Sequence, residues 1–197
     1  MSMVNHHLLE DKELISLYQQ GDQVAISQIV TRYKSRIYSS IYFLVRSREL
    51  AEDLFQETFI RIINGLRSTT YNEQGKFLPW ALRIAHNLVI DHFRKEKQMP
   101  MQRDSEEFSV FDVLPGQGRN ASEQLIYEEK LAFVRGLIDK LPPDQREIVI
   151  LRHYAGLSFK EIAKMLNINM NTALGRMHYA IIKMREMVKK APDRVRE

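Results

Sequence analysis

A helical hydrophobic period runs through most of this chain and limits it to helical packings; its longest break is at residues 98–121. Apolar residues recurring every third or fourth position mark helices that bury one stripe, whereas the strict alternation that marks strands is almost absent. The broken stretch, QMPMQRDSEEFSVFDVLPGQGRNA, carries two prolines and two glycines and is longer than an ordinary connection inside a compact domain. The pattern therefore predicts an all-α chain of two small helical domains, 10–97 and 122–190, joined by a flexible linker, 98–121. A length of 197 residues suits two small domains.

In the first block, Ile26, Ile29, Val30, Tyr33, Ile37, Ile41 and Leu44 share one stripe and predict a long helix over 22–46, with Gly21 and Asp22 as stop and start signals. A second helix is expected from Ser47 to about Leu66, with Leu50, Leu54, Phe55, Phe59, Ile62, Ile63 and Leu66 inward. RSTTYNEQGK, 67–76, reads as a polar loop. A third helix starts near Phe77 and runs through Trp80, Ala81, Ile84 and Leu88 to the basic end FRKEK. Pro79 suits its first turn, where a missing N–H leaves nothing unpaired.

In the second block a helix resumes near Ser122, with Leu125, Leu131, Val134, Leu137, Ile138 and Leu141, and Pro142 and Pro143 end it. Another spans Asp144 to Tyr154, stopped by Gly156. SFKE, 158–161, has the spacing of a capping box, in which Ser158 and Glu161 satisfy each other's backbone N–H. That helix ends at Asn167, a residue that tolerates the left-handed conformation of a tight turn. The last helix begins at Asn169 or Met170 and reaches about Lys189.

Short helix, tight turn and second helix form the arrangement that lays a recognition helix in a major groove. On the last helix Ala173, Met177, Ala180, Ile181, Met184 and Val188 form an apolar stripe, and the opposite face begins with Asn171, Gly175 and His178, flanked by Thr172 and Tyr179. Amides and hydroxyls pair with base edges, and a glycine permits close approach. Around that face Arg152, Lys160, Lys164, Arg176, Lys183 and Arg185 suit phosphates. A helical hairpin whose polar face meets only water has the same spacing.

Charge is distributed unevenly. Residues 152–190 hold eight basic groups against two acidic ones, while 98–121 hold two basic against four acidic. A basic segment of this kind is compatible with a polyanion. No cysteine is present, which excludes disulfides, thiolate zinc sites and cysteine nucleophiles. The start MSMVNHHLLEDKE lacks the basic and apolar regions of a signal peptide, and no run long enough to span a membrane occurs, so a cytoplasmic protein without membrane insertion is expected. The six histidines have no i, i+4 pair of the intrahelical metal type, and neither a Gly-rich phosphate loop nor a catalytic set is recognisable, so no metal, cofactor or enzymatic activity is expected.

Two constellations remain in the first block. ELAEDLFQETFIRI, 49–62, sets Glu52, Asp53, Gln56 and Glu57 beside an apolar face; this is either a solvated face or one that docks a protein. Asp53 and Glu57 repel by a few tenths of a kcal/mol at that spacing, about what a basic partner would relieve. In KFLPWALRIAHNLVIDHFRKEK, 76–97, Phe77 and Trp80 are either core or base-stacking platforms. Arg83, Asn87, Asp91 and Arg94 recur on one face, which fits tracking a nucleic-acid strand and equally a solvated stripe.

Taken together, AEDLFQETFIRI and FLPWALRIAHNLVIDHFRKEK, the acidic linker, and LPPDQREIVILRHYAGLSFKEIAKMLNINMNTALGRMHYAI resemble the extracytoplasmic-function (ECF) sigma factors, the small two-domain branch of the sigma-70 family, over about residues 10–190. The resemblance implies a dissociable specificity subunit of core RNA polymerase with no enzymatic activity, nucleoid-associated when bound. It implies that 10–97 are sigma region two, with Asp53, Phe55, Gln56 and Glu57 docking the polymerase clamp coiled coil. Lys76, Phe77, Trp80, Arg83, Asn87, Asp91, Arg94 and Lys95, with the 67–76 loop, would bind and open the minus-ten element, a flipped base offsetting the unstacking cost. The acidic linker would thread the polymerase's nucleic-acid channels.

Residues 122–190 would be sigma region four, which touches the polymerase flap and reads the minus-thirty-five element. By the same resemblance Arg152, Lys160, Asn169, Asn171, Thr172, Leu174, Gly175, Arg176, His178, Tyr179 and Lys183 contact that promoter DNA. The chain departs from the family's usual recognition helix: Leu174 stands where a basic residue is common, Gly175 where a serine is, and Tyr179 where an arginine is. Weaker phosphate anchoring or a different element is expected. The family also implies an anti-sigma factor as partner. Two other classes fit parts of the pattern: a stand-alone helix-turn-helix regulator, whose sensory domain the first block does not resemble, and a protein-binding adaptor.

Overall fold

The computed structural model describes residues 6–68, 71, 76–96 and 121–191. It divides into two compact units, Met1–Ser109 and Val110–Glu197. Residues 98–120, nearly all of the expected linker, lie outside the described residues, as does most of the 67–76 loop. The described residues are helical, with no strand among them.

The first unit contains α1 (Asp11–Gln19), α2 (Gln23–Val45), α3 (Arg48–Arg67) and α4 (Phe77–Glu96). The long α2 is central and packs against each of the other three. Its inward stripe, Ile29, Ile37 and Ile41, is sealed from solvent; truncating any of these to alanine is expected to cost about 2–5 kcal/mol. The start of α2 is chemically defined: the Asp22 carboxylate accepts from the backbone N–H of Val24 at 2.8 Å and of Ala25 at 3.4 Å. The His6 imidazole meets the same carboxylate at 2.7 Å, and that contact, ahead of the backbone bonds, holds the Asp22 pKa below its ordinary value. Arg46 ends the helix in the left-handed region at φ 59°, and Ser47 Oγ accepts from Leu50 N–H to start α3.

Helix α1 is not singled out by the sequence pattern. It is nine residues long, with Glu10 in place of a common capping residue. Its contacts are long-range. Leu14, Ile15 and Tyr18 are buried, Gln19 Nε2 donates to the Leu66 carbonyl at 3.1 Å, and Arg67 Nε donates to Tyr18 Oη at 2.9 Å. Asp11 accepts from Arg32 Nη1 at 2.6 Å and from the Tyr33 hydroxyl, fixing α1 to α2. Burial first, and the Asp11 carboxylate second, push the Tyr33 phenol up to about 12.

The second unit contains α5 (Ala121–Asp139), α6 (Pro143–Val149), a π-turn (Ile150–Tyr154), α7 (Phe159–Leu166) and α8 (Met170–Lys189). Helix α8 is its axis, packed on α5, α6 and α7. Pro142 and Pro143 do more than end α5: Pro143 opens α6 from its first turn. The expected continuous helix from Asp144 to Tyr154 is instead α6 followed by the wider π-turn, closed by Ala155 N–H to the Ile150 carbonyl at 3.1 Å. Four consecutive residues, Ile148 to Leu151, are buried. An ordinary helix swings four residues through about 300°, so the widened turn accommodates a run that a regular stripe does not predict.

Candidate nucleic-acid interface

The helix-turn-helix is built by local chemistry. Ser158 Oγ accepts from Glu161 N–H at 3.3 Å and the Glu161 carboxylate accepts from Ser158 N–H at 2.8 Å, which closes the capping box and starts α7. Asn167, at φ 53° and ψ 45°, takes the left-handed conformation that turns the chain, and Ile168 N–H donates to the Ala163 carbonyl at 3.0 Å. Asn169 Oδ1 then caps α8 by accepting from Asn171 N–H at 2.8 Å. Ala163 is the small buried residue of α7, which packs against α8, whose Ala173 and Met177 are also buried.

This arrangement turns Asn171, Thr172, Leu174, His178, Tyr179 and Lys183 to solvent, with Gly175 half-buried among them. Lys160 projects from the first turn of α7. Two arginines expected at phosphates are engaged inside the unit. Arg152 Nη1 donates to the Leu157 carbonyl at 2.9 Å and its guanidinium lies over the Phe159 ring, while Arg176 Nε sits 3.4 Å from Asp144. Both therefore brace the turn before α7 and the start of α6. The π-turn, unforeseen in the sequence, is what sets Arg152 and His153 outward while Leu151 and Ala155 are buried.

The apolar stripe of α8 divides in two. Ala173 and Ala180 are core, whereas Met177, itself buried, joins Ile181, Met184 and Val188 in lining an open groove of about 690 Å³ with Val134, Leu137, Ile138, Val149 and Tyr154. His153, Arg185 and Lys189 rim it. Burial raises the Tyr154 phenol above its ordinary pKa.

In the first unit, Lys76, Trp80, Arg83, Asn87, Asp91 and Arg94 recur along one face of α4 at about 100° per residue, and Lys95 adjoins it. Asp91 pairs with Arg94 at 3.0 Å. Phe77 does not join this face as a platform: it is 1% exposed, with Tyr33 at 5.2 Å and Tyr71 at 6.1 Å between ring centroids. Its role is to hold the half-buried Trp80, whose ring lies 4.5 Å from that of Tyr71 and 5.9 Å from that of Phe77. Gly65 of α3 makes room for Trp80, since a Cβ there would come 2.9 Å from the indole. Ile90, 47% exposed in the middle of the polar face, was missed by sequence reasoning, although its spacing between Asn87 and Arg94 was the signal.

On α3, Asp53, Gln56 and Glu57 share an outward face, and Glu57 pairs with Arg61 at 2.7 Å. Phe55 does not share it. Two residues on, it lies about 200° round the helix, half-buried with its ring 5.7 Å from Tyr38 and 4.9 Å from Phe59. Ile60 does share the face, at 54% exposure, and adds an apolar contact to the carboxylates.

Comparison with known proteins agrees with this division. The family model of sigma-70 region 2 matches residues 29–99, and that of sigma-70 region 4 matches 134–184. The ECF RNA polymerase sigma factor SigW of Bacillus subtilis is 32% identical over 171 residues, covering 85% of this chain and 90% of the relative. The ECF RNA polymerase sigma factor SigE of Mycolicibacterium smegmatis is 33% identical over 174 residues, 86% of this chain, and the match spans 65% of that longer protein. Among solved structures, the sigma factor RpoE of Bartonella quintana in complex with the anti-sigma factor NepR shares the fold at a TM-score of 0.64 and 18% identity, covering 83% of this chain and 96% of that one. CnrH in complex with the cytosolic domain of CnrY gives the same TM-score of 0.64 at 21% identity, covering 92% of this chain and 99% of that one. With a region 2 unit, a region 4 unit and a relative matched over nearly its whole length, the chain belongs to the extracytoplasmic-function sigma factors of the sigma-70 family.

Proposed function

We propose that this protein directs core RNA polymerase to specific promoters and assists their opening, with its two units dividing the work. The observation that carries the reading is the helix-turn-helix of the second unit, whose α8 turns a face of Asn171, His178 and Tyr179 to solvent beside the exposed Lys160 and Lys183. That face reads the minus-thirty-five element, and the charges beside it meet phosphates. The apolar groove behind it takes the polymerase flap, because its walls are aliphatic and its rim basic.

In the first unit, Asp53, Gln56, Glu57 and Ile60 form the surface for the polymerase clamp. The carboxylates attract a basic partner and Ile60 supplies area removed from water. The α4 face from Lys76 to Arg94 follows the minus-ten strand, with Trp80 as the aromatic surface for an unstacked base. Polymerase supplies the chemistry, and this chain supplies position. Two separate DNA contacts on one chain raise the effective concentration of each, so neither face needs high affinity alone. An anti-sigma factor is the expected inhibitor, by kinship with RpoE, which was solved with one.

Reconstitution tests the proposal: the chain added to core polymerase is expected to give initiation from a defined subset of promoters in a genomic template pool. Specific duplex binding without polymerase, and no initiation with it, would instead support a stand-alone regulator.

A further inference from the structure

The exposed face of α8 is poor in charge and rich in apolar surface. At about 100° per residue, Asn171, Gly175, His178 and Ile182 run down the middle of the arc opposite the buried Ala173, Met177 and Ala180. Leu174 lies on one flank and Tyr179 on the other, 41% and 62% exposed. The His178 ring meets that of Tyr179 edge-on at 5.8 Å, which limits where the phenol ring can point. At Gly175, between the flanks, an added Cβ would meet nothing within 4 Å. The same is true at Gly136 of α5, so open space by itself marks nothing. What distinguishes Gly175 is its position on the exposed face between Leu174 and Tyr179.

Apolar side chains facing water on a groove-reading helix need an apolar counterpart. The apolar group that base pairs project into the major groove is the thymine C5-methyl, while the other edges are donors and acceptors. The surroundings fit duplex DNA: Lys160 and Lys183 are exposed around the face, with no acidic partner among the described residues.

We propose that α8 reads its element through thymine methyl groups, with Leu174 and Tyr179 as the specificity-determining contacts, Gly175 letting the helix backbone approach between them, and Asn171 and His178 pairing with neighbouring base edges. The inference rests on α8 being the recognition helix, as in the preceding reading. It replaces the arginine-to-guanine logic common in grooves by van der Waals contact, and it makes A·T pairs the preferred partners of the flanks.

The test uses the full chain bound to core polymerase and a duplex library randomised across the upstream element. Selection is expected to enrich A·T pairs at two or more positions. In the selected duplex, replacing each thymine in turn by uracil removes the methyl and leaves every hydrogen bond. Each contacted position is expected to lose about fourfold in affinity, from about 0.8 kcal/mol per buried methyl and 1.4 kcal/mol per tenfold. With Leu174→Ala the uracil penalty disappears at one position and persists at the other; with Tyr179→Ala the pattern reverses. An enriched element of G·C pairs, or uracil replacements without effect on a duplex that the holoenzyme still protects upstream, overturns methyl reading while leaving α8 as the recognition helix. No upstream protection at all overturns the assignment of α8 as well.

Discussion

Gly65 and Gly175 each sit inside a 20-residue helix, α3 and α8, and have opposite reasons to be there. A Cβ at Gly65 would come 2.9 Å from Trp80, whereas at Gly175 it would meet nothing. The first glycine is required by packing within its own unit. The second weakens its helix by roughly 0.5–1 kcal/mol relative to alanine with no return inside the chain. The contrast separates a glycine required by packing within its unit from one that packing does not require, and it makes the two units respond differently to the same substitution.

The largest effect is expected from Gly65→Val. A branched side chain forced against the clamped indole should lower the stability of the first unit by about 1–3 kcal/mol, as overpacked sites do. Trp80 is the only tryptophan, so its emission follows the first unit alone; a displaced indole should move the emission to longer wavelength in the folded state. An unchanged denaturation midpoint and unchanged emission would show that Trp80 yields freely, and the contrast between the glycines would collapse.

Ser158→Ala carries the comparison to the second unit. Losing the capping box should cost about 1 kcal/mol, read by far-UV circular dichroism in urea, with tryptophan emission unmoved. If emission shifts, the reporter does not isolate the first unit.

The smallest effect has the opposite sign. Gly175→Ala should stabilise by about 0.5–1 kcal/mol and weaken upstream promoter binding in the holoenzyme. Gly136→Ala should give the same gain with promoter binding intact. Equal promoter affinity in both variants would remove the distinction drawn for Gly175.

Most of the helices were legible because their signals are local. Asp22, Ser158 and Asn167 act on backbone groups within a few residues, so their chemistry is complete in the sequence. Asp53, Gln56 and Glu57 sharing a face also follows from helical period alone. Helix α1 was not legible, since its anchors come from Leu66 and Arg67, far along the chain. Nor was the π-turn, which depends on how a run of four apolar residues fits one core. The surroundings of several candidate site residues depend on distant contacts in the same way. Phe77 and Phe55 carry the right chemistry, but burial and helix phase turn them to the aromatic core. Arg152 and Arg176 have the expected charge and in addition contact Leu157 and Asp144 within their unit.

The sequence by itself determined an all-α chain, the capped ends of its helices and the helix-turn-helix, because periodicity, capping and left-handed turns act over a few residues. Which side chains remain exposed depends on packing between distant elements: Trp80 stands on a support of Phe77, Tyr71 and Gly65, the α8 stripe opens into a groove from Met177 onward, and Leu174 and Tyr179 face outward on either side of Gly175. Burial depends on elements brought together from distant parts of the chain, and no local pattern encodes which of two chemically equal residues they will cover.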